Sequence, residues 1–138
     1  MKYEFLEHTA EIKFRAFGMT LGGAFENAVL AFSEFVSRGK KIKSVESRAL
    51  KVEGDDLNSL LYKFLEELIY LLDAENFAVS RAKIKADEKN FSLTAELFGD
   101  NAGKYEGLDN AKAVTYSDMF VRRKSSGRGW ELQVVIDV

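Results

Sequence analysis

Residues 55–73 read DDLNSLLYKFLEELIYLLD, and this stretch decides the fold class. Its apolar positions recur every three or four residues, which is the spacing of an amphipathic helix. These positions are Leu57, Leu60, Leu61, Phe64, Leu65, Leu68, Leu71 and Leu72. Asp55 and Asp56 stand where capping and the helix dipole favour acids. The pattern therefore predicts a helix that begins after Asp56 and buries one face against another layer.

A second amphipathic helix is predicted upstream, over residues 21–36. Its apolar positions are Leu21, Ala24, Phe25, Ala28, Val29, Phe32, Phe35 and Val36. Thr20 is a suitable N-cap, and Gly39 is a suitable C-terminal stop. Gly22 and Gly23 each weaken the first turn by roughly 1 kcal/mol relative to alanine. They permit either close packing on a sheet or close approach of a partner, and the sequence leaves both roles open.

Strand patterns surround the two helices. Residues 12–18 alternate between apolar and polar side chains, as a half-buried strand does. The other predictions are one or two strands in 42–53, strands at 78–87 and 91–98, a loop at 99–110, and a hairpin of 112–123 with 129–138. The order predicts an α+β fold, with two amphipathic helices packed on one face of a largely antiparallel β-sheet. We expect a two-layer single domain over residues 1–138.

Composition excludes several classes of protein. The chain of 138 residues has no cysteine, which excludes disulfides, thiolate zinc sites and a cysteine nucleophile. We expect no signal peptide, because no basic segment followed by an apolar one stands near residue 1, and no apolar run approaches the roughly 20 residues that span a bilayer. A net charge of −2 disfavours nonspecific nucleic-acid binding, which depends on lysine and arginine. We expect a soluble, cytoplasmic protein.

Two acidic side chains near strand ends are predicted to point away from the core face. In the last strand Asp137 points away from the apolar face that ends with Val138, whose terminal carboxylate lies beside it. Glu11 likewise lies opposite the face of the apolar residues that follow it. If these strands are neighbours, the carboxylates converge as hard oxygen ligands for Ca²⁺, Mg²⁺ or Mn²⁺. Two solvated surface acids are the alternative.

His8 and a basic cluster are the other polar features of interest. His8 is the only histidine, and a lone histidine near a strand start is usually structural. Residues 122–128, RRKSSGR, form the one basic cluster. This cluster either contacts phosphate or keeps the tip of a hairpin soluble, and we favour the second interpretation. No Walker-type loop and no strand-linked GxGxxG loop is present.

Three stretches together resemble the archease family in order and spacing. They are EHTAEIKFRAFGMTLGGAFENAVLAF, DLNSLLYKFLEELIYLLDAENF and AKAVTYSDMFVRRKSSGRGWELQVVIDV. The most specific parts are EHTA, the LLYKFLEELIYLLD helix, KAVTY and the terminal IDV. The resemblance implies a protein that is not itself an enzyme. It implies an activator of an RtcB-type RNA ligase, promoting guanylylation with GTP and Mn²⁺ and multiple turnover in tRNA splicing.

The resemblance also implies site residues and partners. It implies a divalent-cation site, with Ca²⁺, Mg²⁺ or Mn²⁺ as cofactor, at Glu11, Asp137 and the terminal carboxylate of Val138. Lys112, in KAVTY, is implied in activation of the ligase, and His8 is implied as a support for the acid. The RNA ligase is the expected partner, tRNA is at most an indirect one, and no membrane is involved.

The chain departs from the family pattern at three positions. Glu11 stands where the family usually has Asp, Lys13 where glycine is common, and Ser117 where histidine usually follows KAVTY. Lys13 adds a positive charge near the proposed cation site. Other functions stay open: an RNA-binding adaptor acting through residues 122–128, a chaperone for tRNA-modifying enzymes, or a small metal-dependent hydrolase.

Overall fold

The α+β fold is confirmed by the computed structural model, which describes residues 1–7 and 11–138. The elements are β1 (Tyr3–Leu6), β2 (Glu11–Gly18), α1 (Leu21–Ser37), β3 (Glu46–Glu53), α2 (Leu57–Glu75), β4 (Phe77–Asp87), β5 (Ser92–Asn101), a short 3₁₀ helix (Ala102–Lys104), β6 (Ala113–Arg123) and β7 (Trp130–Asp137). Residues 42–53 contain one strand. Part of the predicted loop at 99–110 is strand and 3₁₀ helix. None of the described helices is long and apolar enough to cross a membrane.

The strands form two antiparallel sheets, which corrects the expectation of one. Sheet A has four strands in the order β1-β2-β7-β6, and sheet B has three in the order β3-β5-β4. The last strand, β7, is therefore central in sheet A, between β2 and β6. Alternation within a strand specifies its faces but not its neighbours, so the division into two sheets is invisible in the local pattern.

Helix α1 packs on strands of both sheets, mainly β2 and β4. A Cβ atom at Gly22 would lie 2.6 Å from the backbone oxygen of Ile84 in β4, so glycine lets the helix lie directly on the strand. Of the two roles open to Gly22, packing on a sheet is the one observed. The helix begins after Thr20, whose side chain accepts a hydrogen bond of 2.9 Å from the N–H of Gly23. It ends at Ser37, and the C-cap residue Arg38 adopts a left-handed φ of 57°.

Helix α2 begins where the two aspartates predict. The side chain of Asp56 accepts a hydrogen bond of 2.7 Å from the N–H of Ser59, and the hydroxyl of Ser59 accepts one of 3.1 Å from the N–H of Asp56. The helix packs on β6, β4 and β3, so it also contacts both sheets. Phe64 meets Phe25 of α1 with ring centroids 5.9 Å apart. The two helices and two sheets thus share one apolar core.

A buried acid fixes the chain that leads to the last hairpin. Asp100 is only 2% exposed and accepts hydrogen bonds from the N–H of Asn101 at 2.8 Å and the hydroxyl of Tyr105 at 2.8 Å. The ammonium of Lys104 lies 3.1 Å from the same carboxylate. The Tyr105 hydroxyl in turn accepts the N–H of Lys43 at 2.9 Å. This network ties the 3₁₀ helix to the segment before β3 and so restrains the approach to β6.

The hydrogen bonds decide the charge of Asp100. Burial by itself raises the pKa of this carboxyl group, because it disfavours the charged form. The hydrogen bonds from Tyr105, Lys104 and Asn101, with the charge of Lys104, outweigh burial and hold its pKa below the ordinary value. Asp100 is therefore an ionised, fully partnered structural acid.

Candidate functional site

The strand register brings the two predicted acids together. β2 and β7 are neighbours, and Glu11 lies directly opposite Asp137 in their antiparallel pairing. Residues directly opposite in such a pair point to the same face, with Cβ atoms about 4.5–5.5 Å apart. Both side chains are half-buried. The condition set by the sequence, that the two strands be neighbours, is met.

The acid pair places two like charges side by side, which destabilises a sheet. Within residues 1–7 and 11–138, the carboxylate of Asp137 forms no ion pair and no hydrogen bond. Val138, the third predicted ligand, follows Asp137 immediately. Val138 is 42% exposed, which corrects its placement on the core face, because β7 ends at Asp137. This end of sheet A can therefore attract a cation.

Lys112 lies beside Asp137, immediately before β6. Its backbone N–H donates a hydrogen bond of 2.8 Å to the backbone oxygen of Asp137. It lines a shallow cavity of about 170 Å³ with Glu66 and Tyr70 of α2. The sequence did not connect these two helix residues to the site, because the packing of α2 on β6 is long-range. Lys112 thus joins the acid pair to a surface of α2.

Comparisons with known proteins decide the family. The family model of the Archease protein family matches residues 3–138. The chain belongs to the archease family. It is 39% identical to protein archease of Pyrococcus furiosus over 141 residues and 37% identical to that of Sulfurisphaera tokodaii over 139 residues, with 99% of each chain covered. An archease-like protein of Drosophila melanogaster is 32% identical and covers 100% of this chain and 91% of its own.

A solved structure agrees with this assignment. The solution structure of Methanobacterium thermoautotrophicum protein 1598 matches with a TM-score of 0.81 and 33% identity, covering 99% of this chain and 98% of that one. The α+β architecture is therefore shared across a full-length relative.

Lys13, one of the three departures from the archease pattern, forms an ion pair in the structure. Lys13 lies two residues after Glu11 on the same face of β2, and its ammonium is 3.5 Å from the carboxylate of Asp118. Asp118 lies in a bulge of β6, where its backbone oxygen accepts a hydrogen bond of 2.7 Å from Gln133. The charge of Lys13 is thus compensated, which weakens its repulsion of a cation at Glu11. Ser117 lies in the same bulge and is exposed.

The oxygen donors of this archease suit a hard divalent cation. Glu11, Asp137 and the terminal carboxylate of Val138 are donors of the type that Ca²⁺, Mg²⁺ and Mn²⁺ prefer. Among the described residues, no group of three or more His, Cys, Asp and Glu side chains is arranged to hold a metal. The acid pair supplies two carboxylates, so a cation bound there would need further oxygen ligands from water or a partner. His8, the predicted support for the acid, lies outside the described residues.

The basic cluster of residues 122–128 is largely paired with other side chains. The guanidinium of Arg122 lies 3.5 Å from the carboxylate of Glu131, and that of Arg123 lies 3.0 Å from Glu88. Lys124 lies over the ring of Phe17 at 4.8 Å. These contacts support the interpretation that the cluster keeps the hairpin tip soluble.

Proposed function

We propose that the protein activates an RtcB-type RNA ligase in the cytoplasm. It promotes guanylylation of the ligase with GTP and Mn²⁺ and supports multiple turnover in tRNA splicing, without joining RNA itself. Membership of the archease family supports the class of activity. The observation that carries the proposal is the register that sets Glu11 opposite Asp137 at one end of sheet A.

The acid pair is the part of the protein that acts on the ligase. Glu11, Asp137 and the terminal carboxylate of Val138 hold a divalent cation, which supplies charge neutralisation for phosphate groups. The two strands hold the side chains on one face, so little ordering is needed when a partner arrives. Their half-exposure at a strand end leaves them open to a cleft in another protein.

Lys112 contributes a separate charge at this end of the sheet. Its side chain is exposed, while its backbone is fixed by the hydrogen bond to Asp137. An ammonium group on a flexible stem is a suitable contact for a phosphate group. Lys112 therefore contacts the ligase or its nucleotide next to the acid pair, and His8 supports Glu11.

Single-turnover guanylylation of the cognate ligase, with and without this protein, tests the proposal. The test variant is Glu11→Ala with Asp137→Ala. The matched control is Glu53→Ala with Glu96→Ala, which removes two exposed strand acids from sheet B. We expect acceleration by the wild type and the control, and none by the acid-pair variant. A folded acid-pair variant that accelerates guanylylation like the wild type would contradict the proposal.

A further inference from the structure

A groove beside the C-terminal half of α1 has no residue in common with the acid pair or with Lys112. Its volume is about 420 Å³, within the roughly 300–1,000 Å³ of small-molecule sites. Four basic side chains line it: Lys2, Lys40, Lys41 and Arg81. They come from the N-terminus, the turn after α1, and β4. We call this the α1 groove.

The charge of the α1 groove is predominantly positive. Within residues 1–7 and 11–138, neither Lys40 nor Lys41 forms an ion pair, and Arg81 stacks over an aromatic ring rather than on an acid. Glu34 is the acid that lines the groove, and its carboxylate lies near the hydroxyl of Tyr3. Burial, and then this contact with Glu34, raises the pKa of the Tyr3 hydroxyl, so it stays a donor. One carboxylate thus faces four cations.

Two serines add hydroxyl groups to the α1 groove. Ser33 is 8% exposed, and its hydroxyl has no hydrogen bond to any residue in the described part of the chain. Buried hydroxyls without a partner are uncommon in folded proteins, so this one is available to a ligand. Ser80 is the unpaired residue of a β-bulge between Val79 and Arg81, and bulges redirect side chains next to binding sites.

We propose that the α1 groove binds the phosphate groups of a nucleotide or an RNA. Lys40, Lys41 and Arg81 contact the phosphate oxygens, and Ser33 donates a hydrogen bond from the floor of the groove. Unpaired cations with hydroxyl donors suit a multiply charged oxyanion, because each oxygen accepts a charge-assisted hydrogen bond. The site is independent of the proposed action on the ligase, and its positive charge makes it unsuited to a metal ion.

Titration of ¹⁵N-labelled protein with inorganic pyrophosphate, followed by NMR and calorimetry, tests this inference. We expect saturable binding, with shifts centred on Ser33, Lys40, Lys41 and Arg81. Lys40→Ala with Lys41→Ala weakens binding on the order of tenfold. The control, Lys63→Ala with Lys89→Ala, removes the same charge elsewhere and changes affinity by less than about twofold. Glu34→Gln tightens binding, because it removes the opposing charge.

Separate titrations with GTP and with a short single-stranded RNA distinguish the two sources of phosphate. Saturation of the groove by GTP indicates a nucleotide site. Binding of RNA alone, weakening steeply as salt rises, indicates a polynucleotide backbone. The inference is overturned if pyrophosphate, GTP and RNA all fail to saturate the groove, or if the groove and control variants lose affinity equally.

Discussion

Asp100 and Asp137 are both acids near strand ends, yet their surroundings are opposite in kind. Asp100 is 2% exposed and receives hydrogen bonds from Asn101 and Tyr105 and an ion pair from Lys104. Asp137 is half-buried and lies opposite another acid, Glu11. An acid satisfied by its own protein stabilises the fold. Two acids held side by side repel each other, and a bound cation would reduce that repulsion.

The largest effect expected from this contrast is on stability. Asp100→Ala removes the acceptor for Tyr105 and Lys104 and leaves the N–H of Asn101 without its partner. Because these groups are near or below the surface, we expect Tm to fall by roughly 5–10 °C. Thermal unfolding followed by circular dichroism measures the change. An unchanged Tm would show that the contacts of Asp100 do not stabilise the fold.

The same acid predicts a pH dependence of stability. Its pKa is lower in the folded protein than in the unfolded chain, so folding is favoured while it is ionised. Its contribution is complete above about pH 4, the ordinary pKa of aspartate, and is lost as pH falls through the lower folded value. We expect the Tm gap between wild type and Asp100→Asn to close in acid. A gap that is constant down to the lowest pH would contradict this sign.

Asp137→Asn is expected to act in the opposite direction. Without divalent cations it removes the repulsion with Glu11 and raises the free energy of unfolding by about 0.2–1 kcal/mol. With Ca²⁺ or Mn²⁺ present, the wild type gains stability and this variant does not. Glu53→Gln, on sheet B, is the control, and we expect the cation to stabilise it as it stabilises the wild type. Denaturant unfolding with and without the cation measures both changes. Equal stabilisation of all three proteins by the cation would show that Asp137 does not bind it.

The smallest expected effect concerns Lys13. Since its ammonium is paired with Asp118, Lys13→Ala changes the affinity of the acid pair for a divalent cation by less than about threefold. Calorimetric titration of the two proteins provides the measurement. A much larger gain in affinity would show that the charge of Lys13 acts on the site despite its partner.

Local patterns predicted the helices and most strands, because these depend on periodicity and capping within one segment. The capping of α2 by Asp56 is an example, since every residue involved lies within a few positions. The brief strand β1, residues 3–6, has too few positions to show a period. The two sheets depend on which strands pair, and no local pattern records that Glu11 meets Asp137 across the sheet.

The candidate site was predictable only in part, because some of its features follow from local patterns and others depend on long-range contacts. The alternation of side chains placed Glu11 and Asp137 off the core face. That the two acids lie directly opposite each other depends on the register of β2 with β7, which the sequence does not show. Lys112 came only from the family resemblance, and its neighbours Glu66 and Tyr70 depend on tertiary packing. The α1 groove was not predicted from the sequence, because its basic residues lie far apart along the chain. Lys2 precedes β1, Lys40 and Lys41 follow α1, and Arg81 is in β4.

The most direct test of the acid pair is a titration with Mn²⁺, followed by paramagnetic broadening of backbone amide signals. We expect broadening to begin at Glu11, Ala113 and Asp137, whose backbones meet at this end of sheet A. Broadening is lost in Glu11→Ala with Asp137→Ala and kept in Glu53→Ala with Glu96→Ala. Broadening centred elsewhere, or unchanged in the acid-pair variant, would contradict the claim that these two acids form the cation site.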